Sequence, residues 1–334
     1  MRFPRPLAEL AGTLAVLGIT VSARAGTLDS RTSLGASSLI ETLAYDSAPG
    51  TGESRFSWNL SITGSQVKSP SVDGTSDDVV NKSFDFDGGV AAQVASGLQL
   101  SVGFLYAATP SEFLRSFGPH LSADYTIYFG ARPDPHVPKP DSVDTSFMDG
   151  DDDDKTPSFV PNLSFRGSYS RTKFATDSGQ RRRLVNSSTI VTATDEILQS
   201  GYGLELTLAP WDWSSVRIGY TRYHYNKDVQ TFLGHLDQQQ AVNAGLTSLS
   251  ATVSGFARDS SEIGISVEPS ELWTVDLSLT TTHAELDESP GHGSRLNVSR
   301  EFSELWKLGL GVERDVSPTT TQSALIVDVA YEIR

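Results

Sequence analysis

The 334-residue chain contains no cysteine. Disulfides and thiolate metal sites are therefore excluded. No apolar run reaches about 20 residues, the length a helix needs to cross a bilayer. Positive charge is scarce: 26 Lys and Arg stand against 41 Asp and Glu, a net of −15. Nucleic-acid binding needs the opposite balance. General adhesion to anionic head groups would need bridging cations. The six histidines show no metal-ligand spacing, and no glycine-rich loop opens a helix. Neither a metal nor a cofactor is expected.

The first 25 residues are of a different kind. Arg2 and Arg5 form a basic start, residues 7–21 are mainly apolar apart from Glu9, and Ala23-Arg24-Ala25 follows. A basic start, a short apolar core and an A-x-A site predict a cleaved secretory signal peptide over residues 1–25. Losing Arg2, Arg5 and Arg24 with Glu9 takes the remaining chain to a net charge of −17.

Beyond it the dominant signal is alternation. Successive side chains of a strand point to opposite faces, and a membrane barrel needs an apolar exterior over a polar lumen. Phe56, Trp58, Leu60 and Ile62 alternate with Ser57, Asn59, Ser61 and Thr63. The same period runs through residues 84–94, 98–106, 121–129, 163–170, 202–208, 216–221, 262–267, 275–280, 295–302, 307–313 and 325–333. The expected fold is all-β, an antiparallel up-and-down transmembrane barrel of about 12 strands, with 10 or 14 as alternatives, over residues 55–334. A soluble β-sandwich or propeller also alternates. Aromatics near strand ends, turns of unequal length and a last strand that runs to the chain end favour the membrane. Residues 26–54 are expected to be a periplasmic tail or a lumen plug, with 38–45 as a short helix or an extra strand.

Three turns share one chemistry: Pro210-Trp211-Asp212-Trp213, Pro269-Ser270-Glu271-Leu272-Trp273 and Phe302-Ser303-Glu304-Leu305-Trp306. Each is tight and places tryptophan where a half-wet ring is favoured, so these turns are expected at the periplasmic face with odd-numbered strands running outward. Leu325, Val327, Val329, Tyr331 and Ile333 form an alternating apolar row near the chain end. On these features the chain resembles bacterial outer-membrane β-barrel proteins of the porin or channel type. That resemblance implies a Gram-negative outer-membrane location and a terminal strand read by the barrel-assembly machinery. The family commonly ends in an aromatic residue; here Ile333 stands there, with Arg334 behind it.

The outward loops are expected at 68–81, 111–117, 174–189, 226–248, 284–293 and 314–321, with strand phase continuing at 190–194 and 249–253 as a raised wall. Arg181-Arg182-Arg183 is a candidate contact for lipopolysaccharide phosphates, against a plain solvated loop tip. Residues 132–158, with Pro133, Pro135, Pro138 and Pro140 and the acidic tract 149–154, read as an irregular acidic insertion. The tract lacks the ligand spacing of an EF-hand, so a solvated acidic run is preferred to a calcium site.

The polar phase defines the candidate lumen. Its acids are Asp85, Asp87, Asp124, Glu205, Glu262, Asp276, Glu301, Glu313, Asp328 and Glu332; its bases are Arg166, Arg217, Arg295 and Lys307. An acidic excess predicts a narrow channel or uptake pore for small polar or cationic solutes. A non-conducting barrel with paired interior charges, working as a structural or interaction protein, is the alternative. A third is a lipid-modifying enzyme built on His292, Ser294 and Asn297, in the manner of outer-membrane phospholipases. The longer motif of those enzymes is absent, and Asn297 falls in the lumen phase. No catalytic site is expected.

Overall fold

The computed structural model describes residues 26–36, 38–47, 56–69, 79–109, 114–129, 160–178, 193–233, 256–270, 272–285, 290–303, 305–316 and 321–333. The expected signal peptide 1–25, the expected insertion 132–158, Arg181 to Arg183, residues 190–192 and 249–253, Glu271 and Glu304 lie outside them.

The strands are β1 (Gly26–Gly35), β2 (Ser38–Ser47), β3 (Phe56–Ser69), β4 (Val79–Ala95), β5 (Leu98–Thr109), β6 (Leu114–Tyr128) and β7 (Asn162–Ser178). They continue as β8 (Ala193–Trp211), β9 (Ser214–Tyr225), β10 (Ala257–Ser270), β11 (Trp273–Ala284), β12 (Pro290–Ser303), β13 (Trp306–Val316) and β14 (Thr321–Ile333). A short helix, α1 (Val229–Leu233), follows β9. Each strand pairs antiparallel with its sequence neighbour, and β14 pairs with β1 from Gly26↔Ile333 to Gly35↔Ala324. Closure leaves no strand edge, so the backbone is satisfied within lipid.

The strand count of about 12 is thereby corrected to 14. The two further strands are β1 and β2, in the segment expected to be a tail or plug. Their alternation is weak for a physical reason. In β1 the lipid-facing row of Leu28 and Leu34 includes Ser30 and Thr32. In β2 the apolar row of Leu39, Leu43 and Tyr45 is broken by Glu41, while Ile40 and Ala44 occupy the other face. Mixed faces give neither a clean period of two nor a clean helical period.

The exterior is apolar as the alternation predicts. Leu204 is 60% exposed, Ile218 56% and Leu310 55%, the reverse of a soluble core. The Trp turns, the Ser96-Gly97 turn and the β1–β14 chain ends share one end of the barrel. Gly97 takes φ 81°, which its turn requires and a side chain would oppose. All five tryptophans sit at this end, at Trp58, Trp211, Trp213, Trp273 and Trp306. Trp211 and Trp213 stack at 5.1 Å, and Trp306 packs on Tyr331 at 4.6 Å. The other end carries most of the longer connections, but the longest, from β6 to β7 across residues 129–161, joins strands at the Trp end. β7 and β8 have 17 and 19 residues, against the roughly 9–11 a bilayer requires, so they rise beyond the membrane at the loop end.

Candidate functional site

The lumen wall is built from the inward phase of every strand, and glycine and serine at many of those positions keep it open. Two cavities divide its middle. One, of about 410 Å³, is bounded by Arg31, Glu205, Arg217, Asp276, Arg295 and Asn297. The other, of about 650 Å³, is lined mainly by small neutral groups such as Ser57, Asn59, Gln99, Ser122 and Ser168, with Arg166 and Glu205 at its border.

The lumen arginines are all held by carboxylates of other strands, three of them on a neighbouring strand and Arg295 across β13. Arg166 Nε donates to Asp124 Oδ1 at 2.7 Å, and Arg217 to Glu262 at 2.5 Å. Arg31 Nε meets Asp328 Oδ1 at 2.7 Å, and Arg295 stands 3.5 Å from the other oxygen of that carboxylate. Cross-strand register produces these pairs: Asp124 faces Arg166, and Arg31 faces Asp328. Such pairs sit in a wet lumen, so they organise charge more than they stabilise the fold.

Several acids keep no basic partner among the described residues. Glu205 and Asp276 border the first cavity. Glu313 and Asp315 line a further cavity of about 190 Å³ beside Arg295. Asp85 is buried at 6% exposure on the same face of β4 as Asp87. Glu301 lies exposed near the short-turn end opposite Lys307, whose Nζ donates to Thr274 Oγ1 at 3.2 Å. Asn297 Oδ1 and Ser299 Oγ are buried with no hydrogen-bond partner. The carboxylates bordering the cavities therefore offer water and solutes an excess of acceptors.

Two features went unseen in the sequence. Arg31, Asp29 and Asp46 belong to β1 and β2; the Asp29-x-Arg31 spacing was the available signal. The second is His120, whose Nε2 lies 2.8 Å from Asp87 Oδ1. The ring crosses β5 over Gly103, where any Cβ would collide with it. Nothing local announces a contact between β4 and β6.

An apolar cluster lies on the inward side of the wall at the loop end. Phe174 and Ile197, on the inward faces of β7 and β8, pack with Val229 and Phe232 of α1 and with Phe256. Phe174 and Phe232 lie 5.1 Å and 5.7 Å from the Phe256 ring. Tyr225 ties the cluster to the wall, donating to Ala257 O at 2.8 Å and accepting from Gln199 Nε2 at 2.6 Å. Asp228 caps α1 by accepting from Thr231 N and Oγ1 at 2.9 Å and 2.6 Å. Those bonds favour the charged carboxylate and hold Asp228 below the usual aspartate range.

The phospholipase-like residues are not assembled. His292 shares the outer face of β12 with Ser294, where its Nδ1 lies 3.3 Å from Thr281 Oγ1. Ser294 donates to Arg314 O at 3.4 Å. Asn297 is on the opposite face, against Gly309 and Gly311. Leu325, Val327, Val329 and Tyr331 form the outer row of β14, and Ile333 ends that strand opposite Gly26.

No protein-family model and no curated protein sequence matches the chain. Solved structures with a similar architecture include a KdgM porin, at 11% identity and TM-score 0.40, covering 92% of this chain and 99% of that one. The CymD monoaromatic hydrocarbon channel matches at 10% identity and TM-score 0.46, covering 92% and 88%. The Pseudomonas putida toluene transporter TodX matches at 10% identity and TM-score 0.45, covering 96% and 93%. The reading of this chain as an outer-membrane-type β-barrel rests on its own closed 14-stranded wall, apolar outside and charged within.

Proposed function

We propose that the chain is an outer-membrane channel for small polar solutes, with a preference for cations, and that it is not an enzyme. The carrying observation is the pairing pattern of the lumen. Arg31, Arg166, Arg217 and Arg295 are held by three carboxylates, Asp328 serving both Arg31 and Arg295, while Glu205 and Asp276 face a cavity of about 410 Å³, and Glu313 and Asp315 a further one, without an ion-pair partner among the described residues. The net field in the path is negative, and fixed lumen charge sets ion preference in such pores. The outer row of β14 would be what the assembly machinery reads during insertion after export.

The test is single-channel recording of the protein in a planar bilayer under a KCl gradient. Steady current with a cation-selective reversal potential is expected, moving towards zero in Glu205→Gln/Asp276→Asn. A folded but silent barrel would overturn the channel reading. It would instead favour a non-conducting interaction barrel, the second reading that the apolar cluster around Phe232 supports.

A further inference from the structure

The lipid-facing wall carries its own charges, and they are arranged unlike those of the lumen. On β7, β8 and β9 the register sets Arg171 opposite Ser200 and Ser200 opposite His224, while Arg222 lies opposite Tyr202 in the adjoining row. These are outward positions, directly above Tyr169, Tyr202 and Tyr220 of the apolar band. Arg171, Arg222 and His224 are exposed. Neighbouring strands are about 4.8 Å apart, so the row from Arg171 to His224 spans about 10 Å, within reach of converging side chains.

Among the described residues no carboxylate is bonded to Arg171 or Arg222. Glu196, the nearby outward acid, is bound to Lys173 at 2.6 Å. Asp259 lies opposite Arg222, but its carboxylate is turned to His283 Nδ1 at 2.7 Å and Arg258 Nε at 3.2 Å. The register thus sets two exposed guanidiniums and an imidazole, its ring edge-on to Tyr202 at 6.0 Å, on positions adjoining Ser200, with no carboxylate partner among the described residues. Like charges on adjoining positions repel unless an external anion joins them. At the opposite end the outward Arg300 is placed differently, against the rings of Trp273 and Phe302 at 5.3 Å and 5.2 Å.

We propose that Arg171 and Arg222, with Ser200 and His224, bind a head-group phosphate of an outer-leaflet phosphoglycolipid of the lipopolysaccharide type. Guanidinium matches phosphate with paired charge-assisted hydrogen bonds. The ligand must be a lipid because the patch faces the bilayer rim, with the tyrosine row below it suited to an acyl-chain and head-group boundary. This surface is on the outer wall and independent of conduction.

The test is native mass spectrometry of the detergent-solubilised barrel titrated with phosphorylated lipopolysaccharide, the same material after phosphatase treatment, and inorganic phosphate. Binding of the phosphorylated lipid is expected to weaken at least about tenfold in Arg171→Gln/Arg222→Gln, the scale of losing two charge-assisted contacts. Arg300→Gln should bind as the parent does, and the double variant should keep the parent conductance. Heat-modifiable gel mobility checks folding, and each single substitution is measured should the pair not insert. Equal binding by parent and folded variants, or equal binding of the phosphatase-treated lipid, overturns the proposal. Inorganic phosphate bound as tightly as the lipid overturns it too, leaving a simple anion site.

Discussion

Arginine serves this barrel twice, and the two faces of the wall treat it oppositely. Inside, Arg31, Arg166, Arg217 and Arg295 each meet a carboxylate fixed on another strand. Outside, at the loop end, Arg171 and Arg222 meet none among the described residues. In the lumen the only fixed counter-ions are those the protein provides, and alternation across the sheet brings them face to face. On the exterior the surrounding leaflet can provide them. The location of the counter-ion thus separates a charge that shapes a path from a charge that meets a membrane.

The contrast is broken most severely by moving a cation into the apolar band. Leu204→Arg should destabilise the barrel by about 2–4 kcal/mol near mid-bilayer, seen in urea titration of the barrel in lipid vesicles. Thr207→Arg, three residues along and facing the 410 Å³ cavity, should cost far less and reduce cation selectivity instead.

A second, smaller effect concerns the mouth. Phe232 is 1% exposed in the apolar cluster, so Phe232→Ala should weaken the attachment of α1 by about 3–5 kcal/mol. Conductance should rise, with faster proteolysis after β9 but unchanged wall stability. No rise in current would mean that the cluster does not limit the path.

Arg217→Ala sharpens the comparison inside the lumen. Both partners of the Arg217–Glu262 pair are more than a third exposed, at 46% and 37%, so stability should change by less than about 1 kcal/mol. The freed Glu262 should make the reversal potential more cation-selective in the same bilayer recording.

The smallest effect is at the α1 cap. Hydrogen bonds from Thr231 lower the Asp228 pKa, so the cap is complete above the ordinary aspartate range and is lost as pH falls through the lowered value. Asp228→Asn should make the mouth's conductance insensitive to that acid transition. An acid response identical to the parent's would assign it elsewhere.

The twelve strands with a clean period of two were legible because each has one face in lipid and one in water. Local sequence is enough to record that. The Trp turns and the Ser96-Gly97 turn were legible for the same reason, since their chemistry is carried by adjacent residues. β1 was not, and β2 only as the extra-strand alternative for 38–45, because Ser30, Thr32 and Glu41 interrupt the outer rows and Ile40 and Ala44 blur the inner one. The acidic excess of the lumen was visible in its phase, but the identity of each partner was not.

By itself, then, the sequence determined the class of fold, the phase of most strands and the sign of the interior charge, all consequences of side-chain alternation against two solvents. Only the tertiary structure decided the closure at 14 strands, the contact of His120 with Asp87 across Gly103, the packing of α1 against Phe174 and Ile197, and the adjoining positions of Arg171, Arg222, His224 and Ser200. These depend on register and on residues far apart in the chain, where local periodicity holds no information.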